Sequence, residues 1–167
     1  MTDNIKDLHL TTEIFKDRES AEKAYQAAID EGYKPQDINV IMSEDSRKQY
    51  YDSVLVKEGT KVSEGLAIGS ATGGAIGGLV AAIAAIGTSL VIPGLGLIVA
   101  GPLAAGLAGA GAGSIAGGIV GSLVGWGIPE DKAKSFETGI KSGGIVLGVK
   151  DHSPSSNLAS AWKNFNA

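Results

Sequence analysis

Short apolar runs and one helical stripe organise the first 64 residues of the chain. β-favouring runs predict strands at 12–16 and 38–42. Between them, apolar side chains at helical spacing predict a helix over 17–31, namely Ala21, Ala24, Tyr25, Ala28 and Ile29. Asp17 suits the N-cap of this helix, and Gly32 suits the left-handed residue that ends it. The charged stretch that follows predicts a short helix near 45–52.

The end of the chain predicts a helix, a strand and a terminal helix. Pro129 suits the first position of a helix over 129–141, and Gly143 and Gly144 stop it. The apolar run 145–149 predicts the last strand. A short amphipathic helix follows from the spacing of Leu158, Ala161, Trp162 and Phe165. We weigh docking on the protein's own sheet against membrane-surface contact, and the lack of a basic face favours docking.

Between these parts lies a block of 65 residues, 65–129, that carries no charged side chain and 19 of the 25 glycines. Prolines and glycines near its middle, at 93–96 and 102, predict a turn there. The block therefore predicts two helices, roughly 63–91 and 103–127, joined by that turn. Glycines spaced four apart mark one face of each helix: Gly65, Gly69, Gly73 and Gly77 in the first, and Gly109, Gly113, Gly117, Gly121 and Gly125 in the second.

The repeated glycines indicate close helix packing. Each glycine costs about 1 kcal/mol relative to alanine in a helix interior. Close approach of another helix axis recovers that cost, because a missing Cβ brings backbones together and gains dispersion contacts. Ile115, Ile119 and Leu123 lie about 200° around the helix from the glycines. One face is thus small and the opposite one is large and aliphatic, so both need cover.

What covers the second face is open between lipid, the α/β domain of the same chain and another subunit. Two helices of roughly 25 residues are long enough to cross a bilayer, and the uncharged turn could be translocated. However, the second helix is poor in large apolar residues, so a lone span of this composition would insert weakly. A soluble assembly in which the hairpins bury one another is the equal alternative.

Charge and composition exclude several function classes. The net charge is −4 and no long basic run exists, so nucleic acid is not an expected partner. The chain has no cysteine and only two histidines, His9 and His152, so we expect neither a metal site nor a thiol nucleophile. A dinucleotide-like Gly111–Ala116 match lacks a preceding strand and falls in a glycine repeat, so we expect no organic cofactor. We expect a protein that is not an enzyme.

The predicted elements assemble into one interrupted domain. Residues 1–64 and 130–167 form a discontinuous α/β domain, split by the glycine-rich hairpin of residues 65–129. The order β-α-β, insertion, α-β is compatible with an α+β, ferredoxin-like sandwich. We expect the three strands in one sheet, with helices 17–31 and 129–141 packed on a single face. The first residues lack a secretory pattern, so we expect a location in the cytoplasm or at the cytoplasmic face of the inner membrane.

Several stretches resemble a bacterial general stress protein family, the heat- and low-temperature-induced group with a glycine-zipper insertion. They are residues 15–24, 37–41, 92–96, 100–104, 121–130 and 138–146. Over roughly 12–150 the similar stretches occur in the right order. The resemblance implies a role in stress responses without an assigned catalytic activity. The region around Tyr50 and Tyr51 and the tail after Asp151 depart from the family pattern.

Two function classes follow from these observations. The first is a stress-associated structural protein that assembles with itself, or associates with membrane lipid, through the glycine faces. The second is a soluble module whose apolar hairpin binds a lipid or another hydrophobic ligand.

Overall fold

A computed structural model describes residues 10–52, 90–92, 95–102, 104, 118–150 and 157–166. The strands are β1 (Leu10–Phe15), β2 (Ile38–Ser43), β3 (Leu90–Ile92), β4 (Leu97–Ala100) and β5 (Ile145–Lys150). The helices are α1 (Arg18–Asp30), α2 (Glu44–Arg47), α3 (Gly118–Gly125), α4 (Glu130–Lys141) and α5 (Leu158–Phe165). A 3₁₀ turn at Pro35–Asp37 precedes β2, and a π-helical turn at Lys48–Asp52 follows α2.

The strands form one antiparallel sheet in the order β1-β5-β2-β4-β3. β5 lies between β1 and β2, with Leu147 opposite both Glu13 and Val40. The prediction that the three flanking strands share one sheet is therefore confirmed. The mixed α/β class is confirmed with it.

Helices cover both sides of this sheet. On the first face, α1 and α5 pack on side chains that include Ile145, Leu147 and Val149 of β5. On the second face, α3 and α4 pack on side chains that include Ile41, Val99 and Val146. The prediction that helices 17–31 and 129–141 share a single face is wrong. Its physical reason is visible in β2 and β5, whose residues are buried almost without interruption, as in strands covered on both sides.

The centre of the glycine-rich block contributes strands to the sheet. Residues 90–92 and 97–100 form a hairpin, and β4 pairs with β2 so that Val40 lies opposite Ala100. The predicted turn is confirmed at residues 95–96, but it joins two strands and not two helices, and the predicted helical end of the span 63–91 is also wrong. β4 is fully buried, and its β-branched residues favour a strand over a helix. Of the second predicted helix, 103–127, residues 118–125 are helical as α3. Residues 63–89 of the first predicted helix and 105–117 of the second lie outside the described residues.

Three helices end in the same glycine motif. At the end of α1, Gly32 has φ of +96°, and the Tyr33 amide donates to the carbonyl of Ala28 at 3.1 Å. Gly127 and Gly143 have positive φ at the ends of α3 and α4. This motif satisfies carbonyl groups that a helix end leaves without partners. The predicted ends at Gly32 and Gly143 are confirmed, and the Asp17 cap is also formed, accepting from the Ser20 amide at 2.8 Å.

The terminal helix docks on the first face, as the sequence favoured. Leu158 and Trp162 are fully buried, and the Trp162 ring meets Phe15 edge-on with centroids 5.8 Å apart. The indole Nε1 of Trp162 donates to the carbonyl of Ala24 at 2.9 Å. α5 is therefore held to both α1 and β1.

Candidate helix-packing surface

Helix α3 carries the predicted helix-packing glycines that the structure describes, Gly121 and Gly125. The other predicted positions lie outside the described residues: Gly65, Gly69, Gly73, Gly77, Gly109, Gly113 and Gly117. The described part of the predicted packing surface is therefore the C-terminal end of the second predicted helix, 103–127.

The large aliphatic face of α3 is buried against α4 and the sheet. Ile119 is 7% exposed and Leu123 is fully buried, and both belong to the cluster on the second face. Ser122, also buried, donates its hydroxyl to the carbonyl of Gly118 at 2.9 Å. The prediction that this face needs cover is confirmed for Ile119 and Leu123, and α4 and the sheet supply the cover. Ile115 lies outside the described residues.

The opposite side of α3, which we call the outer face, consists of Gly121, Val124 and Gly125. Val124 is 42% exposed, the exposed large hydrophobic residue of the described chain. A Cβ built on Gly121 or Gly125 would meet nothing within 4 Å in the described structure. No described contact requires glycine at these positions, although each costs helix stability.

The end of α3 fixes how its outer face is presented. Gly127, with φ of +87°, donates its amide to the carbonyl of Val124 at 2.9 Å. The Ile128 amide donates to the carbonyl of Leu123 at 3.1 Å, and both side chains are buried together. A contact of this kind often accompanies the motif. The apolar pair thus holds the aliphatic face inward, and the glycines consequently point outward.

The outer face of α3 is neutral, because Gly121, Val124 and Gly125 carry no charged side chain. Among the described residues, the charges that follow α3 in sequence belong to α4, where the Lys134 ammonium lies 2.7 Å from a Glu130 carboxylate oxygen. The hydrogen bond from Lys134 lowers the pKa of Glu130. Both side chains are exposed, and an exposed pair of this kind contributes little to stability. The outer face therefore lacks a charge that would oppose burial.

Val124 completes the outer face, although it was not among the predicted packing residues. It lies three residues after Gly121 and one before Gly125, so helical spacing places it on the same side. This spacing was the signal in the sequence that could have identified it. With Val124 the surface is a shallow apolar patch: a branched side chain beside two positions without side chains.

Metal-ligating side chains do not cluster in the described part of the chain. No group of three or more histidine, cysteine, aspartate or glutamate side chains lies there in a position to hold a metal ion. His9, Asp151 and His152 lie outside the described residues, as does the Gly111–Ala116 match. None of the helices described is both long enough and apolar enough to cross a membrane.

Comparison of the chain with protein-family models, with curated proteins and with solved structures finds no match. No family assignment follows from these comparisons. Function is therefore argued from the sequence pattern and from the geometry of α3.

Proposed function

We propose that this chain is a non-enzymatic structural protein that assembles with copies of itself through the glycine faces of its charge-free block. The observation that carries the proposal is the two-sidedness of α3. Its aliphatic side is already covered by α4 and the sheet, while its outer face is neutral and free of side chains at Gly121 and Gly125. A second copy is the occupant that we propose for that face, and membrane lipid is the competing one.

The physical argument is the cost of the glycines. Each costs about 1 kcal/mol relative to alanine in a helix, and no described contact at Gly121 or Gly125 uses the missing side chain. A helix from a second copy can approach such a face closely, because no Cβ separates the backbones. The exposed side chain of Val124 would then pack beside the incoming helix and add apolar contact.

A stress-associated role is part of the proposal through the resemblance to the general stress protein family. Its support is the ordered set of similar stretches, of which 37–41 lies largely in β2 and 138–146 joins α4 to β5. Localisation in the cytoplasm or at the cytoplasmic face of the inner membrane is proposed on the same basis. No organic cofactor and no nucleic acid partner belong to this proposal.

We also propose a ferredoxin-like relationship for one part of the fold. The order β1-β5-β2 supports it, because a strand that arrives later in the chain separates the two strands of a β-α-β unit. The departures are the hairpin β3–β4, which extends the sheet beyond β2, and the helices on the second face. The relationship is therefore limited to β1, α1, β2 and β5.

The experiment replaces Gly121 with Leu and uses Ile119→Leu as the matched control on the opposite side of the same helix. Gly121→Leu adds a side chain at the proposed closest approach, where overpacking typically costs about 1–3 kcal/mol. Ile119→Leu nearly conserves volume at a buried site, where such changes usually cost less than about 1.5 kcal/mol. Sedimentation velocity and native mass spectrometry should show assembled wild type and Ile119→Leu, and dissociated Gly121→Leu.

Thermal melting separates assembly from packing within one chain. Because nothing described opposes a side chain at Gly121, the dissociated Gly121→Leu subunit should still melt cooperatively. A lowered melting temperature with unchanged assembly would mean that Gly121 packs inside its own chain. A wild type that is monomeric and copurifies with lipid would contradict self-assembly and favour the hydrophobic-ligand module.

A further inference from the structure

Among the strands that the structure describes, β1 forms one edge of the sheet, so one row of its backbone groups faces away from β5. In an antiparallel pair, alternate residues direct both backbone groups to the partner strand, and the residues between them direct both groups away. The carbonyls of Thr12 and Ile14 accept hydrogen bonds from side chains of other elements. Thr12 and Ile14, and by alternation Leu10, are therefore the outward residues of β1.

Side chains from both faces of the sheet occupy these outward groups. The ammonium of Lys132, on α4, donates to the carbonyl of Thr12. The amide Nδ2 of Asn166, which caps the end of α5, donates to the carbonyl of Ile14. On β1 itself, the Ile14 amide donates to the carboxylate of Glu13 at 3.2 Å.

Each of the two helix-borne caps is held in place by packing. Lys132 also lies over the ring of Phe136, with its Nζ 5.3 Å from the ring centroid. Asn166 follows the docked helix α5, which the buried Trp162 fixes against α1 and β1. Charged side chains and covering helices are known means of blocking an exposed edge strand from pairing.

We propose that the outward edge of β1 is a pairing surface for β1 of a second copy, and that Lys132 and Asn166 hold it closed. The inference does not rest on the proposed function, since the glycine face lies on another element. Two copies of β1 would pair antiparallel about a two-fold axis at Thr12. Thr12 would then lie opposite Thr12 of the second copy, and Leu10 opposite its Ile14. The backbone groups that point away from β5 in one copy would therefore meet the same groups of the other copy.

Charge favours the register centred on Thr12 over the register centred on Glu13. With the axis at Thr12, Glu13 lies opposite Thr11 of the second copy, and no like charges meet. Moving the axis to Glu13 would place two glutamates directly opposite each other, which destabilises a strand pair. The strand is therefore self-complementary in the register centred on Thr12.

The test removes both caps and measures association. Lys132→Met keeps most of the apolar stem and removes the ammonium, and Asn166→Ala removes the amide donor. Sedimentation velocity over a range of protein concentrations should show that the double variant gains a self-association step that wild type lacks. Hydrogen exchange should show the Thr12 amide becoming protected as that step is populated. A folded double variant with the wild-type association state and an unprotected Thr12 amide would overturn the proposal.

A matched pair of substitutions tests the register and separates this edge from the glycine face. In the double variant, Thr11→Lys places a positive charge opposite Glu13 of the second copy, whereas Thr11→Glu places a negative charge there. The association constant of the new step should be about tenfold higher for Thr11→Lys than for Thr11→Glu. Equal constants would overturn the proposed pairing, because contacts through α3 do not sense residue 11. If the double variant fails to melt cooperatively, Asn166→Ala alone is assayed with the same outcomes.

Discussion

At the scale of single residues, Gly101 shows where a glycine is required by the fold. It follows β4 with φ of +103°, and a Cβ built on it would lie 2.5 Å from the carbonyl oxygen of Ile38. The same Cβ would be 3.0 Å from the Cα of Asn39. These neighbours are backbone atoms of a central strand, so they cannot move aside by a rotamer change. Gly101 therefore brings the end of β4 against the start of β2.

We predict that Gly101→Ala destabilises the protein by about 2–5 kcal/mol. The estimate combines about 1–2 kcal/mol for a side chain at positive φ with about 1–3 kcal/mol for overpacking. Gly96→Ala is the control, because Gly96 also has positive φ but a Cβ there would meet nothing within 4 Å. It should lose only the conformational part, about 1–2 kcal/mol. Urea unfolding of both variants measures the difference, and equal losses would contradict the steric argument.

A second prediction concerns Tyr25, which is 3% exposed on the inner side of α1. Burial, with a smaller contribution from the nearby Glu22, raises the pKa of the Tyr25 hydroxyl to about 12 from 10.0. Between these values the unfolded chain loses the proton while the folded one keeps it. The free energy of unfolding should therefore hold below pH 10 and fall as the pH rises toward 12, by about 2–3 kcal/mol in full.

The measurement compares wild type with Tyr25→Phe by urea unfolding from pH 7 to pH 11. Phenylalanine keeps the ring and removes the titrating hydroxyl. The two proteins should run parallel below about pH 9, and wild type should lose more stability above pH 10. A constant difference across the whole range would contradict the raised pKa.

At the scale of elements, helix ends and flanking strands were predictable because their signals are local. Gly32 and Asp17 determine the limits of α1 through backbone geometry and one side-chain hydrogen bond, and neither depends on distant residues. The aliphatic side of α3 was predictable for a similar reason, since helical spacing alone places Ile119 and Leu123 together. Their burial confirms the pattern, and α4 together with the sheet covers them.

The hairpin β3–β4 was not predicted, because the uncharged sequence around it resembles that of a helix. Leu97–Ala100 lies within a long uncharged block, where a short apolar run can belong to a helix or to a strand buried on both faces. The β-branched residues on either side of a Pro-Gly pair were the available signal. Pairing of β4 with β2 depends on residues more than fifty positions earlier, which local spacing cannot reveal.

Local sequence pattern also could not predict which side of the sheet each helix covers. Amphipathic spacing predicts that a helix packs on an apolar surface, but it does not predict which surface. β2 and β5 offer two, since Val40 and Leu147 contribute to the first face while Ile41 and Val146 contribute to the second. Likewise, the buried Asn39, which donates to the Gly148 carbonyl at 3.1 Å, gives no sequence signal apart from its polarity in an apolar run.

At the scale of the whole molecule, the glycine-rich block is joined to the α/β domain by a common sheet. β3 and β4 come from the block, and β1, β2 and β5 come from its flanks. α3 also belongs to the block, yet it packs on the second face with α4. A sheet assembled from residues so far apart in sequence cannot lose one helical layer without exposing apolar side chains on its face. The described parts should therefore unfold as one cooperative unit.

The two tryptophans of the chain provide a direct test, because one lies on each side of the sheet. Trp162 is buried in the first-face cluster, and Trp126, at the end of α3, packs against the second-face cluster. In protein labelled with 5-fluorotryptophan, the two native ¹⁹F resonances should lose intensity with the same midpoint in urea. Coincident transitions from separate probes are the mark of two-state unfolding. If the Trp126 resonance disappeared at lower urea while that of Trp162 persisted, the second-face layer would unfold separately, and the glycine-rich block would behave as a unit of its own despite its strands in the shared sheet.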